Sequence, residues 1–283
     1  MTFFYYVEQI TISLSQMLNQ LPKCLLHIVA QYTVPKPTRL KSFIDLEKIE
    51  WPRISLNPEA IYILKKNKQK INWFYLSRSS ADISFLENNL EKIIWRCLSL
   101  NPFAISLIEK NLEKIDWSWL CQNPSAIPLL EKNPDKIEWN VLSRNSAAIH
   151  LLEKNLDKID WNYFSGNSSA ISLLEKNMDK INWAWLSKNP SAIHLLEKNL
   201  DKISWHTLCL NISAISLLEN NPKKIDWYWL SENPGAISLL EQNIEKINWY
   251  GFSANPAIVE IDVDQYKNDL NFWIQERMNT YLK

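Results

Sequence analysis

The sequence predicts an all-α solenoid of about ten 22-residue repeats, each built from two short helices, with capping helices at both ends. Three observations predict it. Tryptophan stands at 51, 73, 95, 117, 139, 161, 183, 205, 227 and 249, a period of 22 without a slip, and periods of this length mark solenoids and related arrays. Helix-starting residues fall at two fixed places in every period. The helices those signals allow, about six and nine residues long, are too short to persist alone in water, so each must be held by its neighbours.

Taking the tryptophan as position 1, position 22 before it is usually aspartate, asparagine, glutamate or serine, with Ile94 the exception, and the N-cap residues Asp116, Asp160, Asn182, Ser204 and Asp226 start the first helix. Position 4 is leucine, with Ile54, Phe164 and Phe252 as variants, and position 5 is serine or cysteine. Positions 1, 4 and 5 share one face at helical spacing. Position 7 is asparagine except at Ser79, and position 8 is often proline. That pair opens the second helix, because proline's missing N–H costs nothing in a first turn. Alanine at position 10, isoleucine at 11 and leucine at 14 form its buried stripe, with position 13 at the flank. Asparagine at position 17 is expected to take the left-handed conformation that ends a helix, which would let the chain manage with three glycines. Pro128 falls mid-helix, so that helix either starts late or bends.

The rival architecture is a leucine-rich-repeat α/β horseshoe, since residues 98–111 imitate a strand followed by asparagine. It needs an apolar, inward position 6. That position instead carries Arg78, Gln122, Arg144, Gly166, Lys188 and Glu232, with Leu56, Leu100 and Leu210 in the minority. A linear α-solenoid of ten such units would be on the order of 80–100 Å long, less any curvature.

The chain divides into an N-terminal helical cap (1–39), a half repeat (40–50), nine tandem repeats (51–248), and a degenerate last repeat with a C-terminal capping helix (249–283). Lys48 and Ile49 stand in the half repeat where positions 20 and 21 fall. Caps are expected because an uncovered end repeat exposes its core.

The residues point away from catalysis. Lysine plus arginine equals aspartate plus glutamate, so the basic excess of a nucleic-acid surface is missing. Cys24, Cys97, Cys121 and Cys209 form no metal or redox pair, and Cys121 and Cys209 replace the serine of position 5 as small buried groups. No apolar run is long enough to span a bilayer, and residues 1–14 lack the basic start of a secretory signal. A cytoplasmic monomer with no cofactor and no metal is expected. His150 and His194 share the variable position 12 and read as solvated. Glutamates at position 15 and lysines at position 20 repeat in nearly every unit, which makes neutralising ladders rather than one site.

Two sets of aromatic residues remain. Trp51, Trp73, Trp95, Trp117, Trp139, Trp161, Trp183, Trp205, Trp227 and Trp249 read as structural core, where losing one costs roughly 3–5 kcal/mol. Tyr75, Trp119, Tyr163, Trp185 and Trp229 sit at position 3, off that face. They form a candidate ridge for binding a protein partner, or else pack over the adjacent repeat. The expectation is a non-enzymatic scaffold for protein–protein interaction.

The motif Leu-Ser-x-Asn-Pro-x-Ala-Ile-x-Leu-Leu-Glu-x-Asn-x-x-Lys-Ile-x-Trp, spread over 40–266, resembles the short tryptophan-containing repeat of uncharacterised proteins of large and giant DNA viruses. That resemblance implies an origin, an architecture and a host-cell cytoplasmic location, with a structural virion role as one alternative; the family brings no catalytic residues. Separately, LPKCLLHIVAQY (21–32) resembles the opening helix of an F-box. It implies an adaptor that docks a host ubiquitin-ligase subunit, although the rest of an F-box is not found before the repeats begin. A plain capping helix is the other reading of that segment.

Overall fold

The computed structural model describes residue 34 and residues 36–79 and 82–281. Residues 1–33 of the N-terminal cap, with the F-box-like stretch, lie outside them. The described residues are mostly helical and repeat with the 22-residue period, an all-α solenoid.

A regular repeat runs helix, turn, helix, turn. In the repeat that starts at Trp117, the first helix spans Trp117–Leu120 and a 3-10 turn spans Pro124–Ala126. The second helix, Ile127–Lys132, follows without a break, and a further turn, Pro134–Lys136, closes the unit. The side chains of Asp116, Asp160, Asn182 and Asp226 cap the first helices as their positions suggest. Ser204 occupies the same place but its hydroxyl makes no cap bond. Pro128 falls in the first turn of the α-helical part, because the preceding 3-10 turn delays the helix start to Ile127.

The left-handed asparagine is overturned. No described residue has positive φ, and Asn133 sits at φ −131° and ψ 61°. Its side chain ends the helix instead, donating its amide to the carbonyl of Leu129 at 2.9 Å. Asn155, Asn177 and Asn199 do the same to Leu151, Leu173 and Leu195. A carbonyl at the helix end that would otherwise need water or glycine is satisfied by a side chain, so few glycines are needed.

Two buried polar columns join the repeats. The position-7 asparagine accepts an N–H two residues on, as a cap, and donates its amide back to the preceding repeat. Asn167 donates to the carbonyls of Ser143 and Asn145 at 3.0 and 3.1 Å, and Asn189 to those of Ser165 and Asn167 at 3.1 and 2.9 Å. The position-5 serine donates to the tryptophan carbonyl of its own helix and accepts the backbone N–H that opens the next repeat, as with Ser165, Trp161 and Asn182. Cys121 and Cys209 take that acceptor role with sulfur, at 3.4 and 3.3 Å. Between the columns lies the apolar core, whose wholly buried members are positions 4, 10 and 14, for example Leu120, Ala126 and Leu130.

The ten tryptophans border this core rather than fill it. Each is half-buried and packed on the core cluster. In eight of ten repeats the position-20 lysine lies over the outer face of the indole, from 3.9 Å at Trp51 to 5.5 Å at Trp249. Among the described residues these lysines form no ion pair with a position-15 glutamate. The expected charge ladder is replaced by ammonium groups on aromatic faces.

The repeat unit, Leu40–Val259, closes on itself. Asn57 of the first repeat donates to the carbonyl of Asn255 in the tenth at 3.0 Å, and the N–H of Glu50 donates to the hydroxyl of Ser253 at 2.9 Å. These are the two columns continued across the ends of the array. The tenth repeat is discontinuous. Its first helix and turn are Trp249–Phe252 and Pro256–Ile258. Its last six positions are supplied by residues 45–50, with Ile49 buried and Lys48 over the Trp249 ring. No second helix forms there. Strands Thr38–Leu40 and Val259–Ile261 pair instead. Two flanking bonds, Lys41 N–H to Ile258 C=O and Asp262 N–H to Pro37 C=O, set an antiparallel register. Within Leu40–Val259 the end faces that a linear solenoid would need to cap cover each other, so the repeats of this unit do not run on in a line.

The remaining described residues form a second compact unit. It contains the helix Val263–Tyr281, a small cluster of Val34 and Leu270 flanked by Tyr266, Trp273 and Ile274, and an Arg39–Glu260 ion pair at 3.0 Å. Among the described residues no helix is long and apolar enough to cross a membrane.

Candidate functional site on the concave face

Closure gives the array an inside and an outside. Side chains from repeats two apart converge only on the inside of a curve, and several from positions 2, 3 and 6 do so. Arg53 of the first repeat reaches Glu232 of the ninth at 2.9 Å. The guanidinium of Arg144 in the fifth lies 5.2 Å from the ring centre of Trp185 in the seventh. The Tyr250 phenol of the tenth is raised above its usual range chiefly by the Tyr75 phenol of the second. Positions 3 and 6 therefore line the concave face. Successive first helices stand side by side around it.

All five residues of the sequence-based ridge are half-buried on this face. Tyr163 and Trp185 meet edge to face at 5.4 Å. Trp229 packs on Tyr228 at 5.2 Å and on His206 at 5.0 Å. Trp119 lies under Arg96 at 4.7 Å. Tyr75 stands apart, at the closure, with Arg53 5.7 Å above its ring. The five do not make one continuous row. Tyr163, Trp185 and Trp229 are the cluster, and each packs partly on neighbours while keeping surface open.

The sequence reading missed the cations among them. Four of the chain's six arginines, Arg53, Arg78, Arg96 and Arg144, stand at positions 2, 3 and 6. That clustering is visible in the sequence once position 6 is known to face inward. Arg53 pairs with Glu232, and Arg96 with Asp116 at 3.1 Å. Among the described residues Arg78, Arg144 and Lys188 have no ion-pair partner.

Two adjoining recesses open here. One, about 240 Å³, is lined by Arg144, Tyr163, Gly166, Trp185, Lys188 and Pro190. The other, about 220 Å³ and mostly apolar, lies between Trp185 and Trp229, with Lys188, Thr207 and Leu210 on its wall. The Lys188 ammonium is reachable from solvent, yet its confined setting strips some of its hydration and Arg144 repels it. Both lower its pKa, against an opposing pull from Glu232. Gly166 creates the first recess, since a Cβ there would stand 3.3 Å from Trp185 Cε3.

Burial pushes the Cys97 thiol up, with Arg78 and Arg96 opposing, and this disfavours a reactive thiolate at neutral pH. His150 and His194 each meet the position-15 glutamate of the preceding repeat, Glu131 and Glu175, at 3.1 Å. Among the described residues no group of three histidine, cysteine or acidic side chains is placed to hold a metal. No protein-family model, curated protein or solved structure matches the chain.

Proposed function

We propose that the closed array is a non-enzymatic scaffold whose concave face receives an acidic segment of a partner protein bearing an aromatic or aliphatic anchor. The observation that carries this reading is that Arg144 and Lys188, which have no ion-pair partner among the described residues, stand among the half-open rings of Tyr163, Trp185 and Trp229. Arginine and tryptophan are the side chains that dominate binding energy at protein interfaces. Cations without counter-ions select an acidic partner and speed its approach. The apolar recess between Trp185 and Trp229 accepts the anchor.

Panning a random peptide library on the full chain tests this. Enriched peptides should carry aspartate or glutamate beside a large apolar residue and bind more weakly as salt rises. The paired change Arg144→Ala with Trp185→Ala should abolish their binding, while His150→Ala, at an exposed residue that lines neither recess, leaves it intact. Enrichment of basic peptides, or binding indifferent to the concave-face changes, sinks the reading.

A further inference from the structure

Position 6 carries arginine, glycine and lysine in three successive repeats, at Arg144, Gly166 and Lys188. In sequence these are isolated variations. Curvature brings the outer two to opposite sides of the space that the middle one leaves empty.

We infer that this recess is a binding site for the dianionic phosphate group of a phosphomonoester. Arg144 is held over both Tyr163 and Trp185, at 6.0 and 5.2 Å from their ring centres, so its planar fork is oriented before any ligand arrives. A fixed guanidinium suits the paired oxygens of a phosphate. Lys188 adds a second positive charge that can turn to a third oxygen. A dianion that enters between them offsets both the lost hydration of the Lys188 ammonium and its repulsion from Arg144. One carboxylate would neutralise half of that charge.

The size of the recess, about 240 Å³, exceeds what a bare tetrahedral ion fills, and the neighbouring apolar recess shares Trp185 and Lys188 with it. A carbon-bearing ester group therefore has a place beside the phosphate. The phosphate can come from a free small molecule or from a phosphorylated side chain of a protein; the recess recognises the same chemistry in both. The site shares Arg144, Trp185 and Lys188 with the face proposed to hold an acidic peptide, yet it does not rest on that reading, because small phosphate esters test it with no peptide present.

Calorimetric titration of the full chain decides it, using phenyl phosphate, inorganic phosphate and the monoanionic isostere phenyl sulfate. Phenyl phosphate should bind at least about tenfold more tightly than phenyl sulfate, as expected for one further charge-assisted contact. Gly166→Leu fills the recess with a side chain already found at position 6 in Leu100 and Leu210, and it should reduce binding more than tenfold with unchanged helical circular dichroism. Lys188→Met supplies a second readout that adds no bulk, with the same direction of effect. Inorganic phosphate should bind more weakly than phenyl phosphate; equal binding overturns the assignment to an ester, because the carbon-bearing group then contributes nothing. Absence of binding, or equal binding of phosphate and sulfate esters that survives Gly166→Leu and Lys188→Met, overturns the proposal.

Discussion

The junction between the sixth and seventh repeats and the junction between the tenth and first are made of the same parts, yet they are held differently. At the first, Asn189 donates to two carbonyls, Ser165 accepts the N–H of Asn182, and Lys180 covers Trp161. At the second, Asn57 donates to one carbonyl, Ser253 accepts the N–H of Glu50, and Lys48 covers Trp249. What the closure lacks is continuity of the chain, because residues 45–50 arrive from the opposite end of the array. What it adds is an ion pair, Arg53 with Glu232, and a guanidinium stacked 4.6 Å from the Tyr250 ring. The lesson is that an interior junction is joined by the chain itself, whereas the closure relies on side chains recruited from three repeats. The closure should be the weaker junction and the first to open.

Placing a charge in the core should separate the two junctions most sharply. Ile159 and Ile49 occupy the same repeat position, 7% and 6% exposed. Ile159→Asp traps a carboxylate that has no escape, and the whole array should lose roughly 3–5 kcal/mol in urea unfolding. Ile49→Asp can release residues 40–50 into water. Fast hydrogen exchange confined to that segment and to 249–258 is the expected result; equal loss across all repeats would show the closure to be no weaker than the interior.

The asparagine column comes next. Asn167→Ala removes two amide bonds to buried carbonyls and one cap bond and should cost about 2–4 kcal/mol, whereas Asn57→Ala removes one amide bond and one cap bond and should cost about two-thirds as much. Thermal melting compares them, and a larger loss at Asn57 contradicts the ranking. Smaller still is the brace. A double-mutant cycle on Arg53 and Glu232, which are 14% and 28% exposed, should return about 1 kcal/mol that shrinks with salt. Coupling near zero would mean that Arg53 acts through its aromatic neighbours alone.

The smallest effect is a gain. Ser79 interrupts the column in the second repeat, and its buried hydroxyl has no partner. Ser79→Asn should restore a bond to the Asn57 carbonyl and stabilise the protein by about 1 kcal/mol. A lower melting temperature would show that the second repeat has settled into a different local geometry around Asp82, whose carboxylate caps the helix there.

The period, the two helix starts and the buried faces were legible because each is decided within one repeat. An aspartate before a tryptophan caps whatever helix follows it, and leucine at position 4 needs only the neighbouring unit to be covered. Asparagine at position 17 was misread because a side-chain amide and a left-handed backbone end a helix equally well, and composition cannot choose between them. The indoles were placed too deep for a related reason: the lysine that covers seven of them stands nineteen residues further on, the one over Trp249 comes from the opposite end of the array, and each looks like a surface charge.

The sequence by itself determined the repeating unit, since caps, apolar spacing and asparagine chemistry act over a few residues and recur unchanged. Only the tertiary structure decided that ten such units return to their starting point and that residues 45–50 complete the last of them. Closure is the sum of small rotations, one at each junction, and no single repeat records that total. The concave site follows from the same sum, for curvature is what carries Arg144 and Lys188 from separate repeats to the two sides of Gly166.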